Sequence, residues 1–254
     1  MERLHRNRAA TDARPLFHPL FRSALPLPHP FAARAAEWHP PMPEHLRQPV
    51  SLASLMGTWR RRWIRWPDGR EDTKTRVWWV QAGRYYGDLR LPADVDADSV
   101  VDATETAAGF AGELVESHGI FYWRRDLDLR PTGKPDMGRL RYSDASMRLM
   151  IEEGAEEPYV ELWERVGSAE APLALRLDPA NGPRGTTRGW FVAAGEHFVL
   201  ATQGNGNARP EISYGLRDPG GANGKVVASS DPRRAATRAF SGDPLTHGWT
   251  RLAI

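Results

Sequence analysis

Between Thr58 and Pro92 the chain reads as three strands with two tight stops between them, which leaves little room for anything but a β-meander. The first stop is Pro67-Asp68-Gly69. Proline presets φ at the first corner of a turn, aspartate bonds its own backbone, and glycine accepts positive φ. The second stop, Ala82-Gly83-Arg84, returns the chain into Tyr85-Tyr86-Gly87-Asp88-Leu89-Arg90. Five of the ten tryptophans fall in this one stretch, so the aromatic content is concentrated where the sheet begins.

The remainder continues the pattern. A short turn over Leu52 to Met56 precedes the first strand, and a polar link runs from Ala93 to Glu105. Ala107 to Val115 and Ile120 to Leu129 are predicted to pair through a hairpin at His118-Gly119. Further strands are predicted over Arg139 to Tyr142, Met147 to Glu152, Tyr159 to Val166, Leu173 to Leu177, Gly189 to Ala193, His197 to Gln203, Glu211 to Arg217 and Gly248 to Ile254. No segment after residue 57 carries a helical repeat of three or more turns. Short strands at regular spacing predict an all-β chain, barrel or sandwich. Glu152-Glu153 and Glu156-Glu157 flank a turn and are expected in solvent.

Composition narrows the function classes. A chain of 254 residues, 41% hydrophobic and 26% charged, is long enough to bury a core. It has no cysteine, which excludes disulfides, thiolate nucleophiles and Cys-ligated zinc. A formal charge of +2 does not advertise a nucleic-acid partner. No apolar run is long enough for a membrane span, and the charged, proline-rich start does not read as a signal peptide. A soluble, cytoplasmic protein is expected. Residues 1–49 are broken by nine prolines and read as a flexible or draped arm. His5, His18, His29, His39 and His45 lie there at irregular spacing, so no metal site is expected from them.

Alternate residues of a strand face opposite ways. One face of the last strand of the first half holds Tyr159, Glu161, Trp163 and Arg165; an earlier strand groups Trp59, Arg61 and Trp63, and another Val77, Trp79 and Gln81. These faces mix aromatic and charged side chains, unlike a half-buried sheet with one clean apolar side. Either arginines stack on tryptophans outside the barrel, or the mixed face lines a hollow. In the second case Trp59, Trp63, Trp79, Tyr159 and Trp163 wall a ligand that Arg61, Gln81, Glu161 and Arg165 orient. Inward arginines then require carboxylates or an anionic ligand.

Reaction motifs are thin. There is no phosphate loop, no G-x-S-x-G and no H-E-x-x-H, and no cofactor or metal is expected. The catalytic candidates are Glu161 and His197, the latter on a semi-apolar strand face with Val199, Ala201 and Gln203.

Tyr159-Val-Glu-Leu-Trp-Glu-Arg, Arg188-Gly-Trp-Phe-Val-Ala and Gly248-Trp-Thr-Arg-Leu together resemble the Hri1-like family, lipocalin-like proteins built from two β-barrels in tandem. The resemblance implies two antiparallel meander barrels after the arm, one over residues 50–167 and a smaller one over residues 172–254. It carries no reaction. Three functions stay open: a module binding a small, partly apolar and possibly anionic molecule in the first barrel; an enzyme of the same fold isomerising, cyclising or hydrolysing a hydrophobic metabolite; and a protein-interaction scaffold.

Overall fold

The structure is a computed structural model that describes residues 49–93, 106–179, 186–206, 208–218 and 221–254. The proline-rich arm with its five histidines, and nearly all of the polar link before residue 106, lie outside the described residues.

One helical turn, α1 (Leu52–Leu55), opens the described chain. Ser51 caps it by accepting from the backbone N–H of Ser54, while the Ser54 hydroxyl accepts from the backbone N–H of Ser51. Nine strands come next: β1 (Gly57–Arg65), β2 (Glu71–Asp72), β3 (Arg76–Ala82), β4 (Tyr85–Leu91), β5 (Ala108–Ser117), β6 (Ile120–Asp128), β7 (Met137–Tyr142), β8 (Leu149–Gly154) and β9 (Val160–Gly167). β1 and β3 to β9 pair antiparallel in that order, and β9 returns to β1, so eight strands close a barrel while β2 pairs with the end of β1 alone. His118 and Gly119 have φ of 53° and 76°, the positive values that a two-residue hairpin turn demands.

Two bulges shape the closing seam between β1 and β9. The register jumps between Thr58 and Trp59 and again between Arg61 and Trp63. The second jump leaves Arg62 as the extra residue and reverses the facing of the rest of the strand. Trp59 and Arg61 therefore point inward, and Trp63 points outward.

The resemblance implies a second barrel, but the chain builds a single sheet there. Strands β10 (Leu173–Leu177), β11 (Thr186–Ala194), β12 (His197–Gly204), β13 (Glu211–Arg217), β14 (Gly224–Ser229) and β15 (Trp249–Arg251) form it, in the order β14-β13-β12-β11-β10-β15. Among the described residues its outer strands do not pair with each other. The reason is visible at both edges. β15 has three residues, and the free edge of β14 is taken by the returning chain, with Val226 N–H donating to Thr237 O and Ala239 N–H to Gly224 O, both at 2.8 Å.

One face of this sheet packs on the outer wall of the barrel. Tyr85, Leu89, Leu91 and Leu127 meet Trp190, Val192, Val199 and Ile212 in one apolar cluster. Trp78 stacks on Tyr214 with ring centroids 4.8 Å apart. The opposite face carries Phe191, Phe198 and Leu200 beneath Phe240 of the C-terminal segment. At the tightest point of the seam, a Cβ on Gly87 would stand 2.5 Å from Val199 Cγ1. Gly87→Ala is therefore expected to cost about 1–3 kcal/mol by overpacking. Urea unfolding measures it; Val199→Ala in the same chain should restore only part of the loss, since the Val199 Cβ that alanine keeps would still stand 2.7 Å from the added atom.

Candidate functional site

The barrel interior has two unlike halves. At the α1 end it is filled with indoles. Trp59, Trp79 and Trp163 are buried, with centroids 6.3 Å apart for Trp59–Trp79 and 5.5 Å for Trp79–Trp163. Trp123 completes the group, 5.8 Å from Trp79. Each of the first three indole N–H groups is spent within the protein. Trp59 donates to Leu55 O at 2.8 Å, Trp79 to Gln81 Oε1 at 2.8 Å, and Trp163 to Glu152 Oε2 at 3.0 Å. Gln81 donates in turn to Gly83 O.

Arg165 locks this end. Its guanidinium lies 4.2 Å over the Trp59 ring and donates to the carbonyls of Ser54 and Met56. Burial lowers the Arg165 pKa, and Tyr142 works against that shift. The geometry makes Arg165 a latch between the last strand and α1, with its donors already used on main-chain carbonyls.

Toward the other end the interior becomes polar. Arg61 donates to Glu161 at 2.7 Å and to Asp72 at 3.1 Å. Arg90 donates to Asp88 at 2.9 Å, and Arg125 to Asp128 at 2.9 Å and to Asp136. Both Arg90 and Arg125 lie over the Phe110 ring, at 4.8 Å and 3.7 Å. Glu152 sits directly across from Glu161 on the neighbouring strand, and its carboxyl is bonded by the Tyr159 hydroxyl at 2.7 Å and by Trp163. Burial raises the Glu152 pKa well above the ordinary glutamate range, and Glu161 and Asp136 push it further in the same direction. Burial likewise raises Asp88, with Arg90 opposing. Two buried polar atoms here have no hydrogen-bond partner among the described residues, the Tyr86 hydroxyl and Arg125 Nε.

The sequence-predicted residues separate accordingly. Trp59, Arg61, Trp79, Gln81, Tyr159, Glu161, Trp163 and Arg165 all lie on the inner face of the barrel. Trp63 does not: the bulge at Arg62 turns it out against Ile151, Val160 and Leu162, where Arg65 covers its ring at 4.5 Å. His197 stands apart from Glu161, in the seam between barrel and sheet. There its Nδ1 is 2.7 Å from the Tyr214 hydroxyl, and burial lowers its pKa.

No family model matches the chain, and no curated protein matches it at a significant level. Among solved structures it is similar to the crystal structure of the uncharacterized protein YLR301w from Saccharomyces cerevisiae, at 13% identity and a TM-score of 0.47, with 68% of this chain and 84% of that chain covered. The closed ring of strands, independent of that likeness, makes the chain a β-barrel protein. Among the described residues no helix is long and apolar enough to cross a membrane.

Sequence reasoning missed Glu152, Tyr86, Asp88, Arg90 and Arg125. Glu152 belongs to a run of four glutamates around a turn, which is why solvent is the place expected for it. Only Glu156 and Glu157 are exposed; strand alternation sends Glu152 inward beside Glu161. The period-2 pattern of β4 was the signal that could have found Tyr86, Asp88 and Arg90 together. A separate cleft of about 580 Å³ lies on the far face of the second sheet, between Leu177, Leu200 and Trp249 and the returning segment with Phe240 and His247. Glu211 at its edge is 2.8 Å from Arg234 Nε.

Proposed function

We propose that the barrel is a container for a small, partly apolar molecule held in its polar upper half, above the indole plug. The observation that carries this reading is the Tyr86 hydroxyl. It is fully buried, inward-facing and without a partner among the described residues, in an interior where most polar groups are satisfied. An orphaned buried hydroxyl costs about 1–3 kcal/mol, and a bound partner relieves that cost once the side chains that close over Tyr86 give way. Arg125 Nε–H, in the same network, has the same need.

The packed tryptophans act as the floor of this site, and the orienting groups are Arg61, Glu161, Glu152 and Tyr159. In this proposal the chain is lipocalin-like and of the Hri1-like type, with the container over residues 50–167 and the backing sheet over residues 172–254. It works without cofactor in the cytoplasm, a placement that rests on the absence of cysteine, and nucleic acid is not its partner.

Mass spectrometry of small molecules extracted from the natively purified protein tests the reading. One compound should be retained in near-stoichiometric amount, and Tyr86→Phe should weaken its binding about tenfold. The same substitution should leave the stability of the ligand-free protein unchanged or higher, because it deletes an unsatisfied hydroxyl. Loss of stability without any change in retention would make Tyr86 purely structural and sink the reading.

A second reading, acid–base chemistry, is favoured by one specific arrangement. Glu152 and Glu161 face each other with opposite surroundings, one carboxyl held as the acid and the other ion-paired to Arg61. Such divergence is how sites assign an acid and a base. In this reading Glu161 remains a candidate, Glu152 joins it, and His197 in the seam takes no part.

A further inference from the structure

The cleft of about 580 Å³ on the far face of the second sheet has the size of a small-molecule site. Strand alternation makes its floor. Leu177 on β10, Leu200 on β12 and Trp249 on β15 all belong to the face turned away from the barrel, and each is buried. Gly189 lets the Trp249 ring settle onto the sheet, since a Cβ there would stand 2.6 Å from Trp249 Cη2. The returning segment makes the other wall, with Phe240 edge-on to Trp249 at 5.3 Å. Hydrogen bonds hold that wall in place: Ala239 N–H donates to Gly224 O at 2.8 Å, and Phe240 N–H to Asn223 Oδ1 at 3.2 Å. The space is therefore built by the fold and is already open.

Arg234 lines this space with most of its donors unspent. Of its five N–H bonds one is donated, to Ala239 O at 3.3 Å. Glu211 approaches Nε at 2.8 Å, as an ion pair without the alignment of a hydrogen bond. The Nη1 hydrogens have no acceptor among the described residues. The surrounding charge has the matching sign. Arg234 and Arg238 on the cleft, with Arg209 and Arg233 on the other side of Glu211, stand against Glu211, Asp218 and Asp231. Arg209 has no ion-pair partner among the described residues. Burial also raises the Glu211 pKa, with Arg234 opposing, which moves Glu211 toward its uncharged form.

We propose that this cleft binds a small carboxylic acid with an apolar body, its carboxylate on Arg234 and its body between Trp249, Phe240 and Leu200. The site belongs to the second sheet and is independent of the container reading. A carboxylate matches the fork of the guanidinium and makes charge-assisted bonds with it. An alcohol of the same shape gives that fork a weaker acceptor, and an amine meets the surplus of arginines.

Three small molecules of one shape test the inference: 3-phenylpropionate, 2-phenylethanol and phenethylamine, titrated into the full chain labelled with 5-fluorotryptophan. The acid should shift the Trp249 fluorine resonance and leave those of Trp59, Trp79 and Trp163 in place. It should bind at least about tenfold more tightly than the alcohol or the amine. Arg234→Gln should bring the acid down to the affinity of the alcohol. Arg234→Lys keeps a cation beside Glu211 and serves if the glutamine variant does not fold; it should weaken the acid several-fold and leave the alcohol unchanged. Equal or tighter binding of the alcohol or the amine overturns the proposal, as does acid affinity unchanged in both variants. Absence of a Trp249 shift overturns it too. Shifts confined to the barrel indoles would sink this site while favouring the container, so the two readings fail separately.

Discussion

Replacing Arg61 by alanine is expected to lower the unfolding free energy by about 3–5 kcal/mol, the usual result of deleting one partner of a buried ion pair. The guanidinium and the Glu161 carboxylate are both almost inaccessible and 2.7 Å apart inside the barrel. Without Arg61, Glu161 remains in the interior beside Glu152 with no cation of its own. The loss is therefore mainly the cost of a stranded charge, and the worth of the pair itself is smaller. A double substitution, Arg61→Met with Glu161→Leu, separates the two: it should recover most of the stability, because it strands nothing. Denaturant unfolding of the variants and the parent measures both quantities. If the single variant loses less than about 1 kcal/mol, the pair is solvated and the interior is wetter than its geometry shows.

Glu152→Gln is expected to raise stability on the alkaline side and leave it nearly unchanged in acid. The folded protein holds the Glu152 proton more tightly than the unfolded chain does, since burial raises its pKa, followed in effect by Glu161 and Asp136. Between the ordinary glutamate range and that raised value the folded state binds more protons than the unfolded one. Stability therefore falls as pH rises, by up to about 1.4 kcal/mol per pH unit. Below the ordinary range both states are protonated and the contribution is whole. Glutamine keeps the shape, accepts from Trp163 through its oxygen and donates to the Tyr159 hydroxyl through its NH2, but it cannot ionise, so the downward slope should flatten. Thermal melting across pH reads the effect. Parallel curves for the two proteins would show that Glu152 is not the group responsible.

Much of the architecture was legible because strand alternation and turn chemistry are local signals. The grouping of Val77, Trp79 and Gln81, and of Tyr159, Glu161, Trp163 and Arg165, holds in the folded barrel, since nothing interrupts their alternation. Trp63 fails for a reason no local pattern carries. The bulge at Arg62 is set by how β1 meets β9, about a hundred residues along the chain. Glu152 fails similarly: its neighbours in sequence are glutamates and a turn, while its neighbours in space are Tyr159 and Trp163. β14 went unread because Lys225-Val-Val-Ala-Ser sits among loop residues and is a strand only once β13 and the returning C-terminal segment flank it. The second unit was expected to close on itself, but its apolar faces are covered by the barrel and by its own C-terminal segment, so closure is not needed to bury them.

Strand β4 is a party wall. Tyr86, Asp88 and Arg90 face the barrel interior on one side, while Tyr85, Gly87 and Leu89 bear against the neighbouring sheet on the other. A lone barrel can breathe by letting one stave bow outward; this one has Val199 braced behind it. The spacing of the barrel's inner side chains is consequently set from outside as well as within, and a change of side chain on the sheet's concealed surface should shift the interior ion pairs without touching them.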